Sequence, residues 1–133
     1  MKALRSKISK GLQFGSIVPT CDNSGAKTAK VISVIGAKTV KGRISGCGVG
    51  SLIQVAVKKG TKDVKAQVFF ATVVRQRKEF RRSDGMRVKF EDNAIVILKD
   101  NKGNPKGTLL KGPVAKEAAE RWPGVAKISK IIV

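Results

Sequence analysis

The sequence predicts a mostly β protein, a small barrel or sandwich with a short helical part near its end. Three observations predict it. Gly and Pro recur at short intervals, the runs between them are rich in Val, Ile, Thr and Phe, and only one late stretch carries helical spacing. With 133 residues, 41% of them hydrophobic, the chain has material for one domain around one core. Residues 1–133 are therefore read as a single domain: a polar, flexible arm over 1–12, a β body with its hairpin over 13–111, and a helical part over 112–133.

In chain order, Ser16–Thr20, Thr28–Ile35, Leu52–Lys58, Gln67–Arg75, Met86–Phe90 and Ala94–Leu98 read as six strands. Gln54-Val55-Ala56-Val57-Lys58 alternates as a strand with one buried face does, whereas Lys30 to Ile35 alternates imperfectly. A small closed barrel would use both kinds. The glycines of Gly46-Cys47-Gly48-Val49-Gly50 read as tight turns at a barrel corner. Ser83-Asp84-Gly85-Met86 holds the Asp-Gly pair of a two-residue hairpin turn, which would set Arg82 opposite Arg87 and Phe80 opposite Lys89. Asp100 to Pro105 is a polar loop. In Gly112-Pro113 the proline takes the first helical position, and Val114, Ala115, Ala118, Ala119 and Trp122 then share one face until Pro123-Gly124 stops the helix. A second short helix is expected around Val125 to Lys130.

Charge separates the function classes. There are 28 Lys plus Arg against 9 Asp plus Glu and no His, a formal net charge of +19. Such self-repulsion on a folded body is relieved by a polyanionic partner. Without His, and with Cys21 and Cys47 as the only cysteines, the usual zinc sets and the Ser-His-Asp and Cys-His nucleophiles have no raw material, so no catalytic residue, metal ligand or cofactor is assigned. The glycine segment runs G-x-G-x-G into another strand, not the dinucleotide spacing, and the Gly-Ala-Lys-Thr tetrads at 25–28 and 36–39 miss the phosphate-loop pattern. Asp22, Asp84, Glu91 and Asp92 read as turn residues. No apolar stretch approaches the roughly 20 residues of a spanning helix and no signal peptide is apparent, so a cytoplasmic protein with reduced thiols and no membrane partner is expected.

The basic residues are clustered. Arg75-Gln76-Arg77-Lys78-Glu79-Phe80-Arg81-Arg82 leads into the hairpin, with Arg87 and Lys89 on its return. A two-residue turn would gather Lys78, Phe80, Arg82, Arg87 and Lys89 on one surface, a repulsive arrangement that a phosphate backbone would neutralise. Lys58-Lys59-Gly60-Thr61-Lys62 with Lys65 forms a second cluster, and Lys38, Lys41 and Arg43 a third.

Several segments in order resemble one family. They are Cys21-Asp22-Asn23-Ser24-Gly25-Ala26-Lys27, Gly48-Val49-Gly50, Val57-Lys58-Lys59-Gly60, Val73-Val74-Arg75-Gln76-Arg77-Lys78, Arg81-Arg82-Ser83-Asp84-Gly85, Lys89-Phe90-Glu91-Asp92-Asn93-Ala94, Lys106-Gly107-Thr108 and Gly112-Pro113-Val114-Ala115-Lys116-Glu117. Together they are similar to the universal large-subunit ribosomal protein fourteen family over roughly residues 14 to 133, and Arg-Gln-Arg-Lys, Phe-Glu-Asp-Asn and Ala118 to Pro123 resemble its archaeal and eukaryotic branch, the length its archaeal members. Leu109 departs from the basic residue of bacterial members, Ile95 replaces a usually small residue, and 37–47 matches poorly. The resemblance implies a small five-stranded β-barrel with a protruding basic β-hairpin and a short C-terminal helical part. It also implies a place in the large ribosomal subunit, bound to large ribosomal RNA and to neighbouring proteins including ribosomal protein three. A bridge to small-subunit ribosomal RNA and docking of an anti-association factor follow from the same likeness. Carried onto this chain, the implied RNA-binding residues are Lys27, Arg43, Lys58, Lys59, Arg75, Arg77, Lys78, Arg81, Arg82, Arg87 and Lys89, and the bridge or protein contacts are Thr108, Val114 and Lys127. The alternative is a free-standing small-barrel module for single-stranded nucleic acid, which would need stacking aromatics; the chain has five Phe, one Trp and no Tyr.

Overall fold

The computed structural model describes residues 1–133. In chain order the elements are β1 (Leu12–Gln13), β2 (Ile17–Pro19), β3 (Ala26–Val34), β4 (Gly46–Cys47), β5 (Leu52–Gly60), β6 (Val68–Arg75), β7 (Phe80–Arg81), β8 (Arg87–Val88), β9 (Ala94–Leu98), α1 (Lys116–Arg121) and α2 (Pro123–Ile128). Five of them make an antiparallel sheet in the order β2-β3-β5-β6-β9. The two kinds of strand are both present. In β5, Ile53, Val55 and Val57 are buried while Gln54 and Ala56 are only partly so; β9 is buried at all five residues. The imperfect alternation of β3 has a geometric cause, because its pairing with β5 slips register three times.

The sheet curls on itself without a complete closing ladder. Its edges β2 and β9 meet at one parallel bridge, Thr20 to Ile95, where the Cys21 N–H donates to the Ile95 carbonyl (3.1 Å). The Asp22 carboxylate continues the seam by accepting the Ile97 N–H (2.9 Å). Pro19, having no N–H, cannot extend the edge as an ordinary strand. The expected barrel is thus a curled five-stranded sheet sealed partly by a side chain.

Two further expectations need correction. The helix begins at Lys116, not Pro113, because Val114 is spent in an extended bridge to Ile132: its N–H donates to the Ile131 carbonyl (2.9 Å) and its carbonyl accepts the Val133 N–H (2.9 Å). The first helix does end before Pro123, but the second begins there and not at Val125, with Pro123 as the first residue of α2. Between them Trp122 is fully buried and its indole N–H donates to the Gly50 carbonyl (3.0 Å). Segment 1–12 lies along the body: Leu12 pairs with Cys47, Ile8 packs on the core, and the Ser9 carbonyl accepts from Gln76.

Candidate nucleic-acid interface

The hairpin that carries the arginines forms, but one residue out of the expected register. Phe80 faces Val88 and Arg81 faces Arg87, and the Arg82 N–H donates to the Met86 carbonyl (2.8 Å). The loop is therefore three residues, Ser83-Asp84-Gly85. Gly85 takes φ +90° and Asp84 accepts the Met86 N–H (2.9 Å), the geometry of a three-residue hairpin with a glycine bulge. Slipping one strand by one residue exchanges its two faces. Phe80 and Val88 turn inward, with Phe80 only 1% exposed, while Arg81 and Arg87 sit opposite one another on the outer side. The expected shared surface of Lys78, Phe80, Arg82, Arg87 and Lys89 does not exist, and Phe80 is a core residue with no ring free to stack.

Two arginines of the string are occupied internally. Arg75 is buried, its Nε and Nη2 donating to the two Asp92 carboxylate oxygens (2.9 and 3.1 Å) and its Nη1 to the Lys111 and Pro113 carbonyls (3.0 and 2.7 Å). Its fork ties the end of β6 to the loop before α1. Gly112 makes room for it: a Cβ there would lie 2.9 Å from Arg75 Nη1, on a backbone with φ +79°. Arg82 is half-buried and paired with Glu117. Next to Arg75, Gln76 is wholly buried; its Oε1 accepts the Val49 N–H (3.0 Å) and its Nε2 donates to the Ser9 and Lys78 carbonyls (3.1 and 2.8 Å). The sequence offered one sign of this, since Arg75 ends β6 and Gln76 directly follows it, after the consecutive buried positions Ala71 to Val74.

The remaining predicted residues are exposed. Arg77, Lys78, Glu79 and Lys89 line a shallow depression at the hairpin base, where the Arg77 Nε donates to the Glu91 carbonyl (2.8 Å) and its N–H to Asn93 (2.8 Å). Arg87 meets Glu79 at 3.2 Å in an open, solvent-screened pair. The arm adds Lys7 and Lys10, which sequence reasoning passed over although their polar, evenly spaced run was visible; they flank Ile8 and Ser9, and neighbouring Gly11 abuts Lys78. Arg43 is exposed in the loop after β3, at the same end of the sheet, where the Ile35 N–H donates to Leu52.

Lys27, Lys58 and Lys59 lie at the other end. The pairings Ala26 with Gly60 and Thr28 with Lys59 gather them there, whereas β6 delivers the hairpin beside the start of β5. The length of β5 separates the two groups by roughly 25 Å at about 3.3 Å per residue. Thr108 is at the lysine end: its N–H donates to Asn23 Oδ1 (2.8 Å) and its hydroxyl accepts from Asn23 Nδ2 (3.1 Å). Lys127 is exposed on the last turn of α2, a helix that meets Gly103 and Pro105, just upstream of Thr108, at Gly124. Val114 is fully buried, so its side chain has no surface to offer a partner.

The two cysteines are buried and free. Burial pushes the Cys21 thiol up to about 12 and the Cys47 thiol up to about 11, leaving both protonated and unreactive at neutral pH. Only four of the 28 Lys and Arg side chains have a carboxylate within 4.0 Å, those of Arg75, Arg82, Arg87 and Lys116. The excess positive charge is thus displayed, not internally balanced. No helix is long and apolar enough to cross a membrane.

A curled five-stranded sheet with outward, mostly unpaired arginines and lysines defines a class of small basic β proteins suited to polyanions. The comparisons narrow the class to a family. Residues 11–133 match the model of ribosomal protein L14p/L23e. The chain is 50% identical over 133 residues to the large ribosomal subunit protein uL14 of Nanoarchaeum equitans, each covered in full, and 50% identical, again over both full lengths, to that of Methanocorpusculum labreanum. It is 51% identical over 132 residues to the protein of Methanococcus maripaludis, 99% of each being covered. The chain belongs to the ribosomal protein L14p/L23e family, in its archaeal branch, a family of structural ribosomal proteins and not of enzymes.

Proposed function

We propose that this protein is a structural constituent of the large ribosomal subunit in the cytoplasm, that it binds large ribosomal RNA chiefly through the hairpin end, and that its lysine end with Thr108 and Lys127 contributes to an intersubunit bridge with small-subunit RNA. The observation that carries the reading is the outward pair Arg81 and Arg87, flanked by Arg77, Lys78 and Lys89; of these five only Arg87 has a carboxylate, that of Glu79, within 4.0 Å. Like charges held directly opposite cost free energy unless an anion lies across them. Phosphates meet that need, and Arg forks suit their oxygens. Neighbouring large-subunit proteins, ribosomal protein three among them, and an anti-association factor are proposed as further partners. The free-standing single-strand module has less support, because Phe80 and Trp122 are buried and Phe14 is the one aromatic residue that is mostly exposed.

The test is a titration against large-subunit ribosomal RNA and unrelated RNA of equal length, at low and physiological salt, with protection mapping. A discrete protected site that survives physiological salt is expected. Arg81→Ala and Arg87→Ala should each weaken binding and flatten the logarithmic salt dependence by about 0.7 to 0.9. Equal affinities for both RNAs that collapse together with salt would overturn the ribosomal reading in favour of charge acting alone.

A further inference from the structure

The strands of the hairpin β7–β8 pair only with each other and belong to neither of the other sheets. Two-stranded ribbons are marginal in water, so its angle to the body depends on side chains that reach out of it. Phe80 is one, sunk in the core. Arg82 is the other. Its Nε donates to Glu117 Oε1 (2.7 Å), and its Nη2 donates to Glu117 Oε2 (3.4 Å) and to the Val133 main-chain oxygen (2.6 Å). The guanidinium carbon lies 5.9 Å from the Phe80 ring centre. The Arg82 and Glu117 side chains are 17% and 11% exposed, so the pair is largely withdrawn from solvent screening.

Both anchor points are themselves fixed. Glu117 stands in the first turn of α1, and the Val133 oxygen also accepts the Lys116 N–H (2.8 Å) while the Val133 N–H donates to Val114 (2.9 Å). One guanidinium therefore joins the hairpin, the first turn of α1 and the extended segment 131–133. Its charge is matched by a carboxylate at hydrogen-bond distance, and that carboxylate would repel a phosphate brought to the same place.

We infer that Arg82 is not an RNA ligand but a positioning residue, which with Glu117 holds the hairpin at a set angle so that Arg81 and Arg87 meet RNA already ordered. The inference rests on the RNA-binding reading of the hairpin given above. Pre-ordering matters because each long side chain or loop immobilised on binding subtracts from affinity.

Arg82→Gln and Glu117→Gln test it in the full-length protein, beside Arg81→Ala as the ligand control. The strut predicts that both weaken ribosomal RNA binding about tenfold, that the double variant is little worse than either, and that the salt slope stays at its wild-type value. Glu117→Gln is the sharper arm. It removes a negative charge, so simple electrostatics predicts tighter RNA binding and the strut predicts weaker. In the free protein, amide exchange at Arg81 to Val88 should quicken in both variants while the amides of β5 and β6 keep their protection. A slope lowered by about 0.7 to 0.9 in Arg82→Gln, with Glu117→Gln unchanged or tighter, would overturn the inference and make Arg82 a phosphate ligand. Unchanged hairpin exchange in both variants would overturn it independently of RNA. Failure of Arg81→Ala to alter RNA binding would instead count against the underlying reading of the hairpin.

Discussion

Gln76 shows how a residue in a basic string can serve the fold. It has no exposed surface, and it satisfies a glycine-segment N–H and two carbonyls, one in the N-terminal segment and one at the hairpin base. Gln76→Leu keeps the volume and strands all three groups. At about 1 kcal/mol for each hydrogen bond lost, one of them to the buried Val49 N–H and two to part-buried carbonyls, the change should destabilise the protein by about 3 kcal/mol. Urea unfolding checks this, and an unchanged midpoint would mean that water replaces the amide. Arg75 is comparable: its residue type suggested a phosphate contact, and its environment gives it Asp92 and two carbonyls. Adjacent Arg77, similar in sequence, is exposed.

Among the elements, the seam between β2 and β9 depends on Asp22. Burial holds its carboxyl above the usual carboxylate range, although Ser24 and the Ile97 N–H both favour the ionised form. A folded-state pKa above the unfolded one means that the folded protein binds more protons in that window. Asp22 therefore adds stability as pH falls through its raised folded-state pKa, and that gain is complete below the unfolded pKa. Relative to Asp22→Asn, the wild type should gain stability as pH drops from neutrality into the carboxylate range. Urea midpoints of both proteins across that range measure it, and a difference that moves the other way would show the hydrogen bonds outweighing burial. The hairpin makes a different point at the same scale. Asp84-Gly85 correctly marks a turn, yet whether the loop holds two residues or three decides which arginines face out, and neither residue specifies the count.

At the scale of the whole molecule, the positive charge is divided between two ends of one sheet. Lys58 and Lys59 lie roughly 25 Å from the base of the hairpin and share no partner with it. Losses in RNA affinity from Lys58→Gln with Lys59→Gln and from Arg81→Ala with Arg87→Ala should therefore add, in free energy, to within about 0.5 kcal/mol. A combined variant in the same titration tests this. Strong non-additivity would mean that a single RNA element spans both ends or that the sheet couples them.

Composition and local pattern alone determined that this is a mostly β, strongly basic chain, because runs of Val and Ile, turn residues and net charge act locally or in sum; the ribosomal family came from the likeness of eight short segments in order. All five strands of the main sheet were legible for that reason, as was the presence of helix after residue 112. Tertiary structure decided the rest. The seam at Asp22, the helix start displaced by the Val114–Ile132 bridge, the hairpin register and the internal engagement of Arg75, Gln76 and Arg82 all depend on partners distant in the chain. A side chain's type states which bonds it can form; only the folded chain determines whether its partner is a protein carbonyl, a carboxylate or the solvent side where RNA would lie.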